Sequence, residues 1–176
     1  MKMNRINIIS VSTGMIFTLV AIVSFSCGRI TFNMSGASIG NAKTCFVGFF
    51  ENRAEIVNPR LSTQMTDDLK DKIQASTSLK LVNGNADVMF EGEITGYAVT
   101  SGQVTAQNIA SKDRLTITVK VKFTNELDSE KSFDKSFSRF QEYAGGTSLS
   151  SVESGLVDEI LKEIMEDIFN EAFSSW

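Results

Sequence analysis

The segment from Arg114 to Thr124 constrains the fold more than any other part of the sequence. Its odd-numbered residues, from Leu115 to Phe123, are all apolar, and its even-numbered residues are threonine, lysine or arginine. Successive side chains of a β-strand point to opposite faces of a sheet, so this period of two separates the two sets completely. The segment therefore predicts a strand in a sheet with one buried face and one polar face.

Two further long strands are predicted on either side of this segment. Residues 131–140 form one of them, which is less regular and carries Phe133 and Phe137 on one side. Residues 88–99 form the other, with an apolar face made of Val88, Phe90, Ile94 and Ala98.

Side-chain pairing predicts the registers of these three strands. An antiparallel register that pairs Phe90 with Phe123 also places Glu91 opposite Lys122. In the next hairpin, Phe133 lies beside Phe123. Apolar pairs and opposite charges across neighbouring strands stabilise a sheet, and both registers keep the apolar residues on one face.

Apolar periodicity predicts two helices. The first follows Asn58-Pro59 and runs to about Ser76, since its apolar residues recur at four-residue spacing. The second spans residues 151–173, and Ser150-Ser151-Val152-Glu153 fits a capping box at its start. The apolar stripe of this helix winds around its axis, which leaves two interpretations open. The helix either wraps around a twisted sheet or offers part of its apolar surface to a partner.

The remaining elements complete the expected fold. A first strand is predicted at residues 43–50 and a short one at residues 79–82, which gives the order β-α-β-β-β-β-α. We therefore expect an α+β fold, with two helices packed on one face of a mostly antiparallel four- to five-stranded sheet.

The first 26 residues predict a lipoprotein signal peptide. Lys2 and Arg5 are the only charges before Arg29, and an apolar run lies between them and Cys27. A basic start followed by a short apolar run is typical of a secretory signal, and Cys27 occupies the position of the acylated thiol. An uncleaved anchor is the alternative, but the apolar run is shorter than the ~20 residues of a spanning helix. We expect residues 27–41 to form an acylated cysteine and tether, and residues 42–176 a single domain.

Charge and composition exclude several classes of function. Without Lys2 and Arg5, 15 of the 17 basic residues remain against 21 acidic ones, and the excess lies in the last predicted helix. No clustered basic face of the kind that binds nucleic acid is present. Histidine, the commonest general base and metal ligand, does not occur. Cys45 lies in an apolar run and is expected to be a buried, inert thiol.

The sequence gives only weak evidence for catalytic residues. Ser132 and Lys135 match the Ser-x-x-Lys pattern of penicillin-recognising enzymes, but in a predicted strand and without the companion motifs. Glu91 and Glu93 share a strand face, where salt pairs with Lys122 and Lys120 explain them better than a metal site does. The sequence predicts no enzyme, no cofactor and no catalytic or metal-binding residue.

One feature of the predicted sheet suggests an anionic ligand. Arg114, Lys120 and Lys122 share the polar face of the central strand, and Arg139 lies nearby in the sequence of the next strand. We name these four residues as candidate ligand-binding residues. The alternative is that they only pair with carboxylates of the neighbouring strands.

The chain from Ser38 onward resembles the Bacteroidetes branch of the LptE family of lipopolysaccharide-assembly lipoproteins. The clearest stretches read Val57-Asn58-Pro59-Arg60-Leu61-Ser62 and Phe90-Glu91-Gly92-Glu93-Ile94-Thr95-Gly96-Tyr97. Further matching stretches are residues 38–39, 69–72, 77–82, 114–119, 137–139 and 166–170. They follow one another in order and together cover most of the predicted domain.

The resemblance implies a function. Family members have two helices against a four-stranded sheet and are lipid-anchored on the periplasmic side of the outer membrane. There they plug the barrel protein LptD, help it assemble and bind lipopolysaccharide, without catalysing a reaction. The family's lipid-binding basic residues cannot be aligned onto this sequence. The loop at residues 100–113 is a candidate contact with the barrel, and a generic outer-membrane lipoprotein adaptor, for peptidoglycan for example, remains the alternative.

Overall fold

The computed structural model describes residues 39–56, 58–102 and 112–173. These residues form six strands, two α-helices and one short 3-10 helix at Ser129–Lys131. The elements are β1 (Thr44–Val47), β2 (Glu51–Asn52), α1 (Leu61–Ser76), β3 (Lys80–Leu81), β4 (Val88–Thr100), β5 (Lys112–Asn125), β6 (Phe133–Ala144) and α2 (Leu149–Phe173).

The strands form one mixed sheet in the order β3-β1-β4-β5-β6, and β2 also pairs with β4. The three long strands β4, β5 and β6 are antiparallel neighbours. The pairings of β1 with β3 and β4, and of β2 with β4, are parallel. Parallel pairing follows because α1 carries the chain back across the sheet between β1 and the strands that join it. The predicted α+β fold with two helices is confirmed, with parallel strands added at one side.

The predicted registers are confirmed. Phe90 lies opposite Phe123, and Glu91 lies opposite Lys122. The second hairpin pairs Phe123 with Phe133 and Lys122 with Asp134, and it keeps one register over the whole length of β6.

A β-bulge at Thr95 changes the second half of β4. Ile94 lies opposite Val119, but the next paired residue is Gly96, opposite Thr118. The extra residue reverses the alternation, so Ala98 is exposed and Tyr97 is buried with 4% exposure. The prediction that Ala98 lies on the apolar face is therefore wrong.

The core lies between the sheet and the two helices. Around Phe123, the ring centres of Phe90, Phe133 and Phe173 lie at 4.8, 5.3 and 6.0 Å. Cys45 is fully buried in this core, and burial raises the pKa of its thiol to about 12. The thiol therefore stays protonated at neutral pH and is a poor nucleophile, as expected.

Both helices begin at positions that differ slightly from the prediction. Asn58 accepts a hydrogen bond from the backbone N–H of Arg60, and α1 begins at Leu61. Helix α2 begins at Leu149, so Ser150 and Glu153 lie inside it and the predicted capping box is wrong. The apolar stripe of α2 is buried from Leu156 to Phe173, which favours the interpretation that α2 wraps around the twisted sheet. None of the described helices is both long and apolar enough to cross a membrane.

Candidate functional site

The face of β4, β5 and β6 that points away from the helices carries the predicted ligand-binding lysines. We call it the open face, because α1 and α2 both pack against the opposite side of the sheet. The even-numbered residues of β5 lie on it, as the alternation of Arg114 to Thr124 predicts, and they are exposed or half-buried. Its principal residues are Glu91, Glu93, Arg114, Thr116, Thr118, Lys120, Lys122, Asp134, Ser136, Ser138, Phe140 and Glu142.

A shallow depression of about 340 Å³ lies at one end of the open face, and we call it the charged end. Lys122 Nζ lies 3.5 Å from Glu91 Oε2, and Lys120 Nζ lies 3.3 Å from Asp134 Oδ2. Glu93 was expected to pair with Lys120 but instead lies 3.1 Å from Nε of Arg53. Each lysine here therefore has a carboxylate partner from a neighbouring strand.

The middle of the open face is lined by small hydroxyl side chains. The hydroxyl groups of Thr118 and Ser138 lie 2.9 Å apart across β5 and β6. Thr95, at the bulge, donates a hydrogen bond of 3.4 Å to the carbonyl oxygen of Thr118. This region is polar and uncharged, and its short side chains leave the sheet surface accessible.

The other end of the open face is built around Arg114. Its guanidinium lies 2.8 Å from Glu142 Oε1 and 3.9 Å from the ring centre of Phe140. Lys112 Nζ also lies 3.3 Å from Glu142. The hydrogen bonds from Arg114 and Lys112 lower the pKa of Glu142 and hold it in the charged form.

Arg139 lies on the other side of the sheet from the other three candidate residues. It is paired with Ile117, whose side chain is buried beneath the helices. Its guanidinium binds both carboxylate oxygens of Asp167 on α2, at 2.6 and 2.7 Å. The structure therefore brings Lys120 and Lys122 together at the charged end, places Arg114 at the far end of the same face, and separates Arg139 from all three.

This arrangement can bind a polar, charged ligand by exchange of ion pairs. Lys120, Lys122 and Arg114 are each about half exposed, so an anionic group can reach them. It must compete with Asp134, Glu91 and Glu142, which already occupy the same cations. Exposed pairs of this kind contribute only about 0–1 kcal/mol each, so the competition costs little.

A second feature, which the sequence did not predict, is a hydrogen-bonded group of Tyr97, Asn58 and Glu153 near the start of both helices. Tyr97 Oη donates a hydrogen bond of 2.5 Å to Glu153 Oε1, and Asn58 Nδ2 donates one of 3.0 Å to the same oxygen. Burial and the neighbouring carboxylate raise the pKa of Tyr97, so its hydroxyl remains a donor at neutral pH. Isolated glycines in a strand pattern, here Gly92 and Gly96, are a local signal of a bulge, and the bulge that turns Tyr97 inward directly precedes Gly96.

Two predicted features lie outside the described residues. Cys27, the predicted lipidation site, precedes residue 39, where the description begins. Residues 103–111 of the loop expected to contact the barrel are also outside it.

A protein-family model described as "LptE: Lipopolysaccharide-assembly" matches residues 42–172. No curated protein sequence matches the chain. The match extends from just before β1 into the last turn of α2, so it covers the sheet, both helices and the open face together.

Several solved structures share the fold at low sequence identity. A homologue of a neuraminyllactose-binding hemagglutinin from Helicobacter pylori has a TM-score of 0.53 at 12% identity, with 74% of this chain and 83% of that chain covered. Protein CT253 of Chlamydia trachomatis has a TM-score of 0.50 at 9% identity, with 74% and 97% covered. A minor lipoprotein from Acinetobacter baumannii has a TM-score of 0.47 at 15% identity, with 74% and 95% covered.

Proposed function

The chain belongs to the LptE lipopolysaccharide-assembly family, and we propose that it is a lipid-anchored outer-membrane lipoprotein that plugs an LptD-like barrel and binds lipopolysaccharide. Proteins of this family are associated with the outer membrane of the envelope. The observation that carries the proposal is the extent of the family match, which spans nearly all of the described domain. The role is binding and assembly, without catalysis.

The anchor in this proposal is Cys27. A thioether-linked diacylglyceryl group there would hold the domain on the periplasmic side of the membrane, because two acyl chains suffice for stable anchoring. Residues 28–41 would then act as a tether that lets the domain reach its partner. Cys27→Ala should release the protein from the membrane fraction and leave its fold intact, which fractionation and circular dichroism would measure. An unfolded variant would contradict the separation of tether and domain.

The open face is the proposed lipopolysaccharide surface. At the charged end, the side chains of Lys120 and Lys122 are 47% and 60% exposed. Next to them are hydroxyl groups that can exchange hydrogen bonds with a phosphorylated sugar. Charge-assisted hydrogen bonds from lysine to phosphate are stronger than neutral ones. The pairs with Asp134 and Glu91 are exposed and contribute only about 0–1 kcal/mol each, so a phosphate that contacts both lysines can replace them.

Lys120→Ala with Lys122→Ala tests this surface. We expect lipopolysaccharide binding to weaken by about tenfold, since two exposed ionic contacts of about 0.7 kcal/mol each are lost. Lys70→Ala with Lys162→Ala is the matched control, because it removes the same charge from the two helices. Equal weakening in both double variants would mean that only net charge matters, and a large loss of stability with unchanged binding would mean that Lys120 and Lys122 are only cross-strand partners.

Affinity purification of the tagged chain from detergent-solubilised outer membrane tests the partner. Stoichiometric recovery of a large barrel protein supports the plug. Recovery of the chain alone, with surface lipopolysaccharide unchanged after depletion, would instead support the alternative of an adaptor for another envelope component such as peptidoglycan.

A further inference from the structure

A cleft of about 530 Å³ lies on the helix side of the sheet, away from the open face. One wall is the segment that leads into α1, with Pro59 and Arg60, and the opposite wall is the first three turns of α2. Tyr97 closes the floor. Ile56, at the wall of the cleft, is apolar and yet 54% exposed.

Glu153 is held in this cleft in one orientation by three separate elements. The bulge at Thr95 turns Tyr97 toward the helices, Asn58 reaches over from the entry to α1, and α2 begins early enough to place Glu153 between them. Both donors bind Oε1, which leaves the second carboxylate oxygen, Oε2, without a hydrogen bond from either of them. A carboxylate fixed in this way is preorganised to accept a further donor, because little additional side-chain entropy is lost on binding.

Glu153 and Asp158 are the carboxylates that line the cleft. Asp158, on the same wall, accepts a hydrogen bond of 2.6 Å from Gln64. The pKa of the nearby Asp68 is raised by burial first and then by the charge of Asp158. Within the part of the chain that the structure describes, no ion pair joins Glu153 or Asp158 to a basic side chain, although Arg60 also lines the cleft. Glu153 is half-buried, so its attraction for a cation that enters the cleft is screened less than at an exposed site.

We propose that this cleft is a docking site for a basic side chain, arginine or lysine, presented by a partner protein. The aliphatic stem of that side chain would lie along Pro59 and Val157, and its charged head would reach Oε2 of Glu153. The cleft is larger than one side chain needs, so it also admits the flanking backbone. A charged anchor beside exposed apolar surface is common at protein interfaces, where a few buried arginines carry much of the binding energy.

Peptide titration of the full chain in detergent micelles tests the proposal. The probe is acetyl-glycyl-arginyl-glycine amide, and the matched neutral probe has citrulline in place of arginine. Backbone amide shifts of residues 150–158 report binding by nuclear magnetic resonance. We expect saturable shifts with the arginine peptide and about fivefold weaker binding with the citrulline peptide, the loss of one partly exposed ion pair.

Variants and a small cation complete the test. Glu153→Gln should weaken arginine-peptide binding by about fivefold, whereas Glu159→Gln, which removes an exposed carboxylate of α2 outside the cleft, should not change it. Equal binding of the arginine and citrulline peptides to the unmodified chain would overturn the proposal without reference to any variant. Binding of putrescine as tight as that of the peptide would also overturn it, because the cleft would then be a site for small cations.

Discussion

The two faces of β5 are built from alternate residues of one segment and have opposite properties. Leu115, Ile117, Val119 and Val121 are fully buried against the helices. Lys120 and Lys122, on the other side, are exposed and held by single ion pairs across to β6 and β4. Apolar burial contributes far more to stability than exposed ion pairs do. The buried face therefore supplies most of the stability, and the residues of the open face can be used for binding at little cost to the fold.

The largest loss of stability is expected from removing a large side chain from the buried face. Phe123→Ala should lower the free energy of unfolding by about 3–5 kcal/mol, because the cavity left among Phe90, Phe133 and Phe173 cannot collapse fully. Thr116→Ala, on the open face of the same strand, is the control and should change it by less than about 1 kcal/mol. Urea denaturation measures both. A similar loss in the two variants would refute the contrast between the faces.

A smaller loss of stability is expected from adding a methyl group to the buried face, where no space is left for one. A Cβ at Gly92 would lie 2.5 Å from Cε1 of Phe50 and press on the backbone carbonyl of Lys120, so Gly92→Ala should cost about 1–3 kcal/mol or more. Gly155→Ala is the matched control, since nothing lies within 4 Å of its position on α2. It should stabilise the helix by roughly 1 kcal/mol. Thermal unfolding of the two variants should therefore shift in opposite directions, and shifts of the same sign would contradict the packing around Gly92.

Asp87 sharpens the comparison, because it is a polar residue outside the buried core that does contribute to stability. Its carboxylate accepts hydrogen bonds from the backbone N–H groups of Lys43 and Thr44 and from the Thr44 hydroxyl, and these lower its pKa in the folded state. A carboxyl whose folded pKa is depressed adds stability above its unfolded pKa of about 3.9 and loses it as the pH falls through the folded value. Asp87→Asn should thus be less stable than the unmodified chain at pH 7.

The pH dependence of that difference provides the measurement. Urea midpoints of both proteins from pH 7 down to pH 2 should converge as Asp87 becomes protonated, since all other carboxyl groups are common to the two. A difference that stays constant over this range would mean that the charge of Asp87 has no part in holding β1 beside β4.

The strand registers could be predicted because the side-chain pattern encodes them directly. Phe90, Glu91 and their partners are spaced so that one register satisfies both apolar and charged pairs. The bulge could not be located in the same way. Gly92 and Gly96 are both isolated glycines in a strand, yet Gly92 makes room for the ring of Phe50 and only Gly96 follows the bulge. The sequence signal is the same, and tertiary packing decides between the two outcomes.

The candidate site shows the same limit. Lys120 and Lys122 could be placed on one face because they lie two residues apart in a regular strand. Arg139 was grouped with them only because it is near in the sequence. The register that pairs Phe123 with Phe133 also pairs Arg139 with Ile117, on the helix side, where it binds Asp167 of α2. The link between Tyr97 and Glu153 joins residues 56 positions apart. No local pattern predicts it, because it depends on how the start of α2 meets the end of β4.

The smallest effect is expected from the middle of the open face. Replacing both members of the hydroxyl pair, as in Thr118→Val with Ser138→Ala, removes the donor and the acceptor together and leaves no unpaired group. Such paired removal is nearly neutral, and valine is favoured in strands, so the free energy of unfolding should change by less than about 0.5 kcal/mol. Lipopolysaccharide binding should weaken if the hydroxyl floor is part of the proposed surface. Unchanged binding together with unchanged stability would restrict that surface to the charged end, and a stability loss above about 1.5 kcal/mol, more than one net hydrogen bond contributes, would show that the open face also stabilises the fold.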